Sequence, residues 1–217
     1  MIAGAAVVVL ACAGVVGWMY FGQPKPVPPG GTTLDVSVDL MTPGPLGDNV
    51  LGKDDAPVTI VEYASMTCPH CANFHETTYP ELKKRYIETG KVRFIFREFP
   101  LDNIAATASM LARCANKDKF FPMIEVLFNQ QNKWAVNPPA SPLPPLLAIA
   151  KQAGFTEEGF NACLKDQKVL DGIKWSYDRA SQLGVQSTPS FFINGKLYPG
   201  GMSIEQLEKL MAPHLKS

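Results

Sequence analysis

The chain has 217 residues, with 20 Lys and Arg against 20 Asp and Glu, so its formal net charge is zero. That length suits one ordinary domain with additions and is short for two. A neutral chain whose basic run, Lys83-Lys84-Arg85, reads as the solvated face of a helix has no electrostatic footprint for nucleic acid.

Residues Ile2 to Phe21 carry no charged side chain, and such a run matches the ~20 residues that cross a hydrocarbon core as a helix. A cleaved signal sequence has a shorter apolar stretch behind basic residues, and no Lys or Arg precedes this one. Ala11-Cys12-Ala13 resembles a cleavage site, and Val9-Leu10-Ala11-Cys12 a poor lipid-attachment site. The apolar run continues past both, through Trp18, Met19, Tyr20 and Phe21, and its three aromatics are of the kind that sit at a membrane interface. The expectation is an N-terminal membrane anchor or signal sequence over residues 1–21, with the rest of the chain exported. Residues 22–45 read as a Pro/Gly-rich linker, stiffened by four prolines between Gln23 and Gly31. Within it Leu34 to Leu40 alternates apolar and polar, as a short edge strand or an extended arm. The folded domain is placed at residues 46–217.

Val58 to Tyr63 is a continuous β-branched run bounded by Pro57 and Ser65-Met66-Thr67, the pattern of a strand buried on both faces. A helix is predicted from Pro69 to about Glu88, stopped by Gly90. Val92 to Arg97 is the next strand, and two parallel strands joined across a helix make a βαβ unit. From Asn103 to about Leu183 the period is helical, with Ile104, Ala108, Leu111, then Phe120, Ile124, Leu127 and Phe128 in phase. The proline-rich run Asn137 to Pro145 interrupts it once, and helices resume through Leu146 and from Thr156 and Lys168. Sheet returns in Ser190 to Ile193 and Lys196 to Tyr198, which flank an Asn194-Gly195 turn that tolerates positive φ. The last helix opens on Ser203-Ile204-Glu205-Gln206, a capping-box pattern, and its apolar stripe is Ile204, Leu207, Leu210 and Met211. The order is β-α-β, a helical block over about 103–183, then β-β-α.

The chemistry sits at the first strand–helix junction, in Cys68-Pro69-His70-Cys71. Pro69 falls at the first helical position, where its missing N–H costs nothing. Cys68 then faces the unpaired N–H groups and positive end of the helix, which favour thiolate over thiol. Cys71 lies on the same face one turn inward, within reach of a disulfide. The Cys68 sulfur should be accessible and the Cys71 sulfur more buried. His70 can donate a hydrogen bond to Cys68, and whatever stabilises the reduced thiolate makes the disulfide a stronger oxidant. A purely structural Cys-x-x-Cys is the bland alternative. Haem attachment needs His directly after the second Cys, where Ala72 stands. A metal-handling site could use Cys68, Cys71 and His75, but no second Cys-x-x-Cys or His pair supplies further ligands. No metal and no cofactor are expected.

Three segments carry a resemblance: Glu62 to Cys71, Phe94 to Leu101, and Gly184 to Gly195, the last containing Thr188-Pro189. Together they resemble the DsbA-like family of periplasmic thiol:disulfide oxidoreductases, over about residues 46 to 217. The resemblance implies an α/β thioredoxin-like fold with an inserted helical subdomain. It implies an enzyme that introduces disulfides into unfolded or reduced exported proteins, met along an apolar groove near Pro189. It further implies reoxidation by a membrane quinone-linked partner, and a periplasmic domain held at the inner membrane by residues 2–21. By the same resemblance Pro189 is a cis-proline beside the active-site disulfide, and Glu62 is a buried acid that helps move the proton of Cys71. Thr188 departs from the prototype oxidase, which has an apolar residue there, and isomerase-like relatives share the Thr. A disulfide isomerase or reductase is therefore the alternative, although residues 22–45 are too few for the dimerisation domain that dimeric isomerases carry, and a monomer is expected. Some relatives carry a second, non-catalytic disulfide, which Cys114 and Cys163 would form here. It would close a loop worth ~3–5 kcal/mol in the chain-entropy model, with two separate buried thiols as the alternative.

Overall fold

The computed structural model describes residues 40–135 and 141–215. The expected anchor over residues 1–21, most of the linker and the segment Leu34 to Asp39 lie outside the described residues. Among the described residues no helix is long and apolar enough to cross a membrane.

Five strands form one sheet: β1 (Asn49–Leu51), β2 (Val58–Ala64), β3 (Val92–Glu98), β4 (Ser190–Ile193) and β5 (Lys196–Pro199), in the order β1-β3-β2-β4-β5. Strands β2 and β3 run parallel, with Glu62 opposite Phe96, and the other pairs are antiparallel, with Glu62 opposite Phe191 on the β4 side. Asn194 and Gly195 take the positive φ values of 44° and 85° that the tight β4–β5 turn requires. The Asn194 side chain also accepts from the Thr59 backbone N–H at 2.7 Å, tying this turn to β2.

The helix predicted from Pro69 to Glu88 is broken. Helix α1 (Pro69–Thr77) ends at Thr78, α2 (Tyr79–Leu82) follows, and a π-helical turn over Lys83–Ile87 completes the segment. Pro80 explains the break, because it has no N–H for the Glu76 carbonyl and its ring would clash with that carbonyl in a continuous helix. Gly90, at φ 76°, then turns the chain into β3.

The helical block comprises α3 (Asn103–Cys114), α4 (Phe120–Asn129), α5 (Gln131–Trp134), α6 (Leu143–Gln152), α7 (Glu157–Cys163) and α8 (Gln167–Gln182). Asp102, Thr156 and Asp166 cap α3, α7 and α8 by accepting from backbone N–H groups of the first turn. The closing helix α9 (Ile204–Met211) carries the full capping box of Ser203 and Gln206.

Alternation along β2 divides two cores. Ile60 and Ala64 face the larger one, built with α1 and the helical block, whereas Val61 and Tyr63 face a smaller one with Ile95, Ala180, Val185 and Phe192. The smaller core also holds Leu40, 2 % exposed and helical in backbone, so packing reaches back past Leu46. Arg97 binds this N-terminal arm: it pairs with both oxygens of Asp48 at 2.9 Å and donates to the Leu40 carbonyl at 2.7 Å. Edge strand β1 was not legible in the sequence, because three residues are too few for a period.

Candidate active site

Cys68 is the N-cap residue of α1, with extended backbone (φ −76°, ψ 119°) and Pro69 following at the first helical position. The loop before it is stapled by short polar side chains. Cys68 N–H donates to the Ser65 carbonyl at 3.1 Å, Leu101 N–H donates to the Ser65 hydroxyl at 3.2 Å, and Thr67 donates to Asp102 at 2.7 Å. From the helical block Gln131, itself buried, donates from Nε2 to the carbonyls of Met66 at 2.8 Å and Cys68 at 3.0 Å. The redox loop is therefore held by both the sheet domain and the insertion.

Cys68 and Cys71 are both thiols in this structure. Cys68 keeps 5 % exposure and Cys71 none, so the expected order holds, but the nucleophile is far less open than a cap position suggests. The lid over it is the loop before β4, where the Thr188–Pro189 peptide is cis and the Cys68 Sγ lies 3.3 Å from the Thr188 carbonyl oxygen.

The two thiols are held at opposite ends of the acidity range. The Cys68 thiol is lowered to about 5, chiefly because the Cys71 thiol donates to its sulfur; burial opposes this, and the Thr188 side chain and the backbone N–H groups of Cys71 and His70 reinforce it. The Thr188 hydroxyl has no hydrogen-bond partner in the thiol form, so it is free to turn to the sulfur when Cys68 ionises. Burial pushes the Cys71 thiol well above the usual thiol range, with the bond to Cys68 and the charge of Glu62 adding to it. His70 contributes its backbone N–H, whereas its imidazole is exposed and makes no hydrogen bond. The ring instead borders an open cleft of about 280 Å³, lined also by Asn73, Thr77, Met202 and Ser203.

Glu62 lies at the centre of β2 with no exposure, and its Oε2 meets Nε2 of His75 at 2.9 Å. His75, one turn beyond Cys71 on α1, stacks on Phe128 at 4.5 Å between centroids and packs tilted against Tyr79 at 4.8 Å. Its Nε2 is thus engaged by a carboxylate rather than aimed at the two cysteines. Among the described residues no group of three or more His, Cys, Asp or Glu is placed to hold a metal ion. Away from the site, Cys114 at the end of α3 and Cys163 at the end of α7 are joined in a disulfide with Cα atoms 6.0 Å apart.

A family model described as Thioredoxin matches residues 46–212. A crystal structure of Wolbachia pipientis α-DsbA1 superposes with a TM-score of 0.74 at 31% identity, covering 83% of this chain and 96% of that one. The chain belongs to the DsbA-like thioredoxin family. A Bacillus cereus relative named disulfide bond formation protein D is 31% identical over 172 residues, 76% of this DsbA-like chain and 78% of the relative. A Rickettsia bellii relative named protein-disulfide oxidoreductase is 38% identical over 150 residues, 68% of this chain and 57% of its own length. The chain thus spans little more than half of the Rickettsia relatives it matches.

Gln131 and the Glu62–His75 pair are the site residues that the sequence did not bring together. For His75 a signal existed, since its spacing puts it on the same face of α1 as Cys68 and Cys71. For Gln131 there was none: a Gln following an apolar stripe reads as a solvated helix end.

Proposed function

We propose that this chain is a thiol:disulfide oxidoreductase that oxidises the cysteines of exported proteins by exchange at Cys68–Cys71. The observation that carries the proposal is the placement of the two thiols: Cys68 caps the N-terminus of α1 with its Sγ 3.3 Å from the Thr188 carbonyl oxygen of the cis Thr188–Pro189 peptide, and Cys71 is buried one turn inward, an arrangement that lowers the Cys68 thiol and raises that of Cys71. An acidic Cys68 makes the dithiol the favoured state and the disulfide a ready oxidant, and it is also the better leaving group when the mixed disulfide is resolved. A substrate thiolate attacks Cys68 of the disulfide, Cys71 leaves, and a second substrate thiolate displaces Cys68. Cys68, Cys71, Thr188 and Pro189 form the exchange site in this reading. His70 borders the cleft that receives the substrate chain, and Glu62 handles the proton of Cys71. The Cys114–Cys163 disulfide is structural.

The same reading makes the domain extracytoplasmic, periplasmic by the family resemblance. Residues 2–21 anchor it, residues 22–39 space it from the membrane, and a quinone-linked membrane oxidase restores its disulfide. The deciding experiment is equilibration of the full chain with glutathione at pH 7. A potential well above that of the glutathione couple is the expected result. A potential near or below it replaces oxidation by reduction or isomerisation, the reading that the Thr188 hydroxyl favours.

A further inference from the structure

The pair Glu62–His75 is built in a manner that burial alone does not explain. Both side chains are fully buried, 2.9 Å apart through Oε2 and Nε2. Phe74, Phe96 and Phe128 surround the imidazole, and Tyr79 packs at 4.8 Å with a buried hydroxyl that has no partner. The charge of Glu62 reaches Cys71 of α1 and Tyr79 of α2, and Tyr79 also feels Glu125 of α4, itself paired with Lys83 at 2.8 Å, and Glu88. Two atoms of the pair have no partner, Glu62 Oε1 and His75 Nδ1. A carboxylate buried among aromatic rings is costly unless a donor meets it. His75 supplies one donor, to one oxygen, and leaves the other bare.

We propose that His75 is a positioning residue of the exchange reaction: its Nε2–H holds Oε2 of Glu62, so that the proton Glu62 passes to Cys71 is carried on Oε1. This rests on the exchange reading and assigns the part of the apparatus that prepares Glu62. A substrate thiolate attacks Cys68 Sγ; the new S–S bond forms and the Cys68–Cys71 bond breaks, its electron pair leaving on Cys71. Cys71 takes the proton from Oε1, and the carboxylate left behind keeps the hydrogen bond from Nε2–H. A second substrate thiolate then attacks the substrate sulfur of the mixed disulfide, and Cys68 leaves as a thiolate. The substrate has lost two electrons to the cysteine pair. Its two protons go to solvent, and one returns to refill Glu62.

The test follows a single turnover of the oxidised full chain, in detergent, with a synthetic peptide bearing two cysteines. His75→Phe and His75→Met remove the donor and keep the packing; His75→Gln restores a donor the same number of bonds from Cβ. Both apolar variants should reduce at least about tenfold more slowly, a part of what proton transfer by a positioned group contributes. His75→Gln should recover most of the rate, and adding His75→Phe to Glu62→Gln should slow the reaction no further. Apolar variants that fold and react at the parent rate overturn the proposal. So does a His75→Gln variant as slow as His75→Phe, or an additive double variant. A parent that fails to oxidise the peptide sinks the exchange reading itself, which separates the two failures.

Discussion

The side-chain amide of Gln131 donates to the carbonyl oxygen of Cys68 at 3.0 Å, across 63 residues of sequence. The helical insertion is thereby connected to the nucleophile's own backbone. A second bond from the same nitrogen, to Met66, fixes the strand end as well. Gln131→Ala should leave a buried carbonyl without its partner and lower stability by about 1–3 kcal/mol. Gln131→Glu, which turns an acceptor toward two carbonyls, should cost more. Urea unfolding of the reduced proteins gives the order; a Gln131→Ala variant as stable as the parent would mean that the insertion does not support the loop.

Cys68 makes the stability of the reduced protein depend on pH. Its thiol is lowered in the folded state to about 5 against an ordinary value of 9. A group depressed on folding contributes stability above its unfolded value and loses it as pH falls through its folded value. Between pH 9 and about 5, reduced protein should therefore lose a few kcal/mol at most, since the sulfur is not wholly shielded from solvent. Cys71 is raised, so it has the opposite sign, and its stabilisation declines only above pH 9. The disulfide form has neither thiol and should lack both slopes. Parallel urea titrations of the two redox forms from pH 5 to pH 8 would reveal a shared slope if the thiols are not its source.

The ranking of the groups that acidify Cys68 is testable. The Cys71 thiol stands first, and His70 takes part through its backbone N–H, which every substitution but proline retains. Cys71→Ala should therefore raise the Cys68 thiol, and His70→Leu should raise it by less. Ultraviolet thiolate absorbance against pH reads both values. A larger effect in His70→Leu would return the imidazole to the role its position between the cysteines suggests.

Local pattern and long-range contact differ sharply in what the sequence discloses here. The run from Val58 to Tyr63 declared a buried strand because it opens on four β-branched residues in a row, and Asn194-Gly195 declared its turn because few other pairs accept two positive φ values. Pro80 carried the signal of the helix break, but the apolar spacing on either side of it continues and masked the interruption. Cys68 and Cys71 were legible as chemistry from their spacing alone. Thr188 and Glu62 came only through the family resemblance, because no local pattern shows that Thr188 reaches Cys68 from 120 residues away or that Glu62 meets His75 across a strand–helix junction. Burial is also decided by tertiary packing: Cys68 keeps only 5 % exposure because the loop carrying Thr188 closes over it.

The N-terminal arm supplies the last prediction. Arg97, 2 % exposed, is a cation in a dry place, and its charge is met by Asp48. Its remaining donors go to backbone oxygens of the arm, Leu40 at 2.7 Å and Thr42 at 3.3 Å, and to the Tyr63 hydroxyl at 2.9 Å. A chain beginning at residue 46 keeps Asp48 but loses both carbonyls and the Leu40 side chain. Exposing a buried leucine costs ~1.5–3 kcal/mol, and stripping partners from a buried charge adds to that. Against a chain beginning at residue 31, the shorter one should therefore unfold at a clearly lower urea concentration, by several kcal/mol in all. Arg97→Met in the longer chain separates the two contributions, since it removes the cation and leaves Leu40 in its core. Equal midpoints for the two truncations would show that the arm lies on the domain without holding it together.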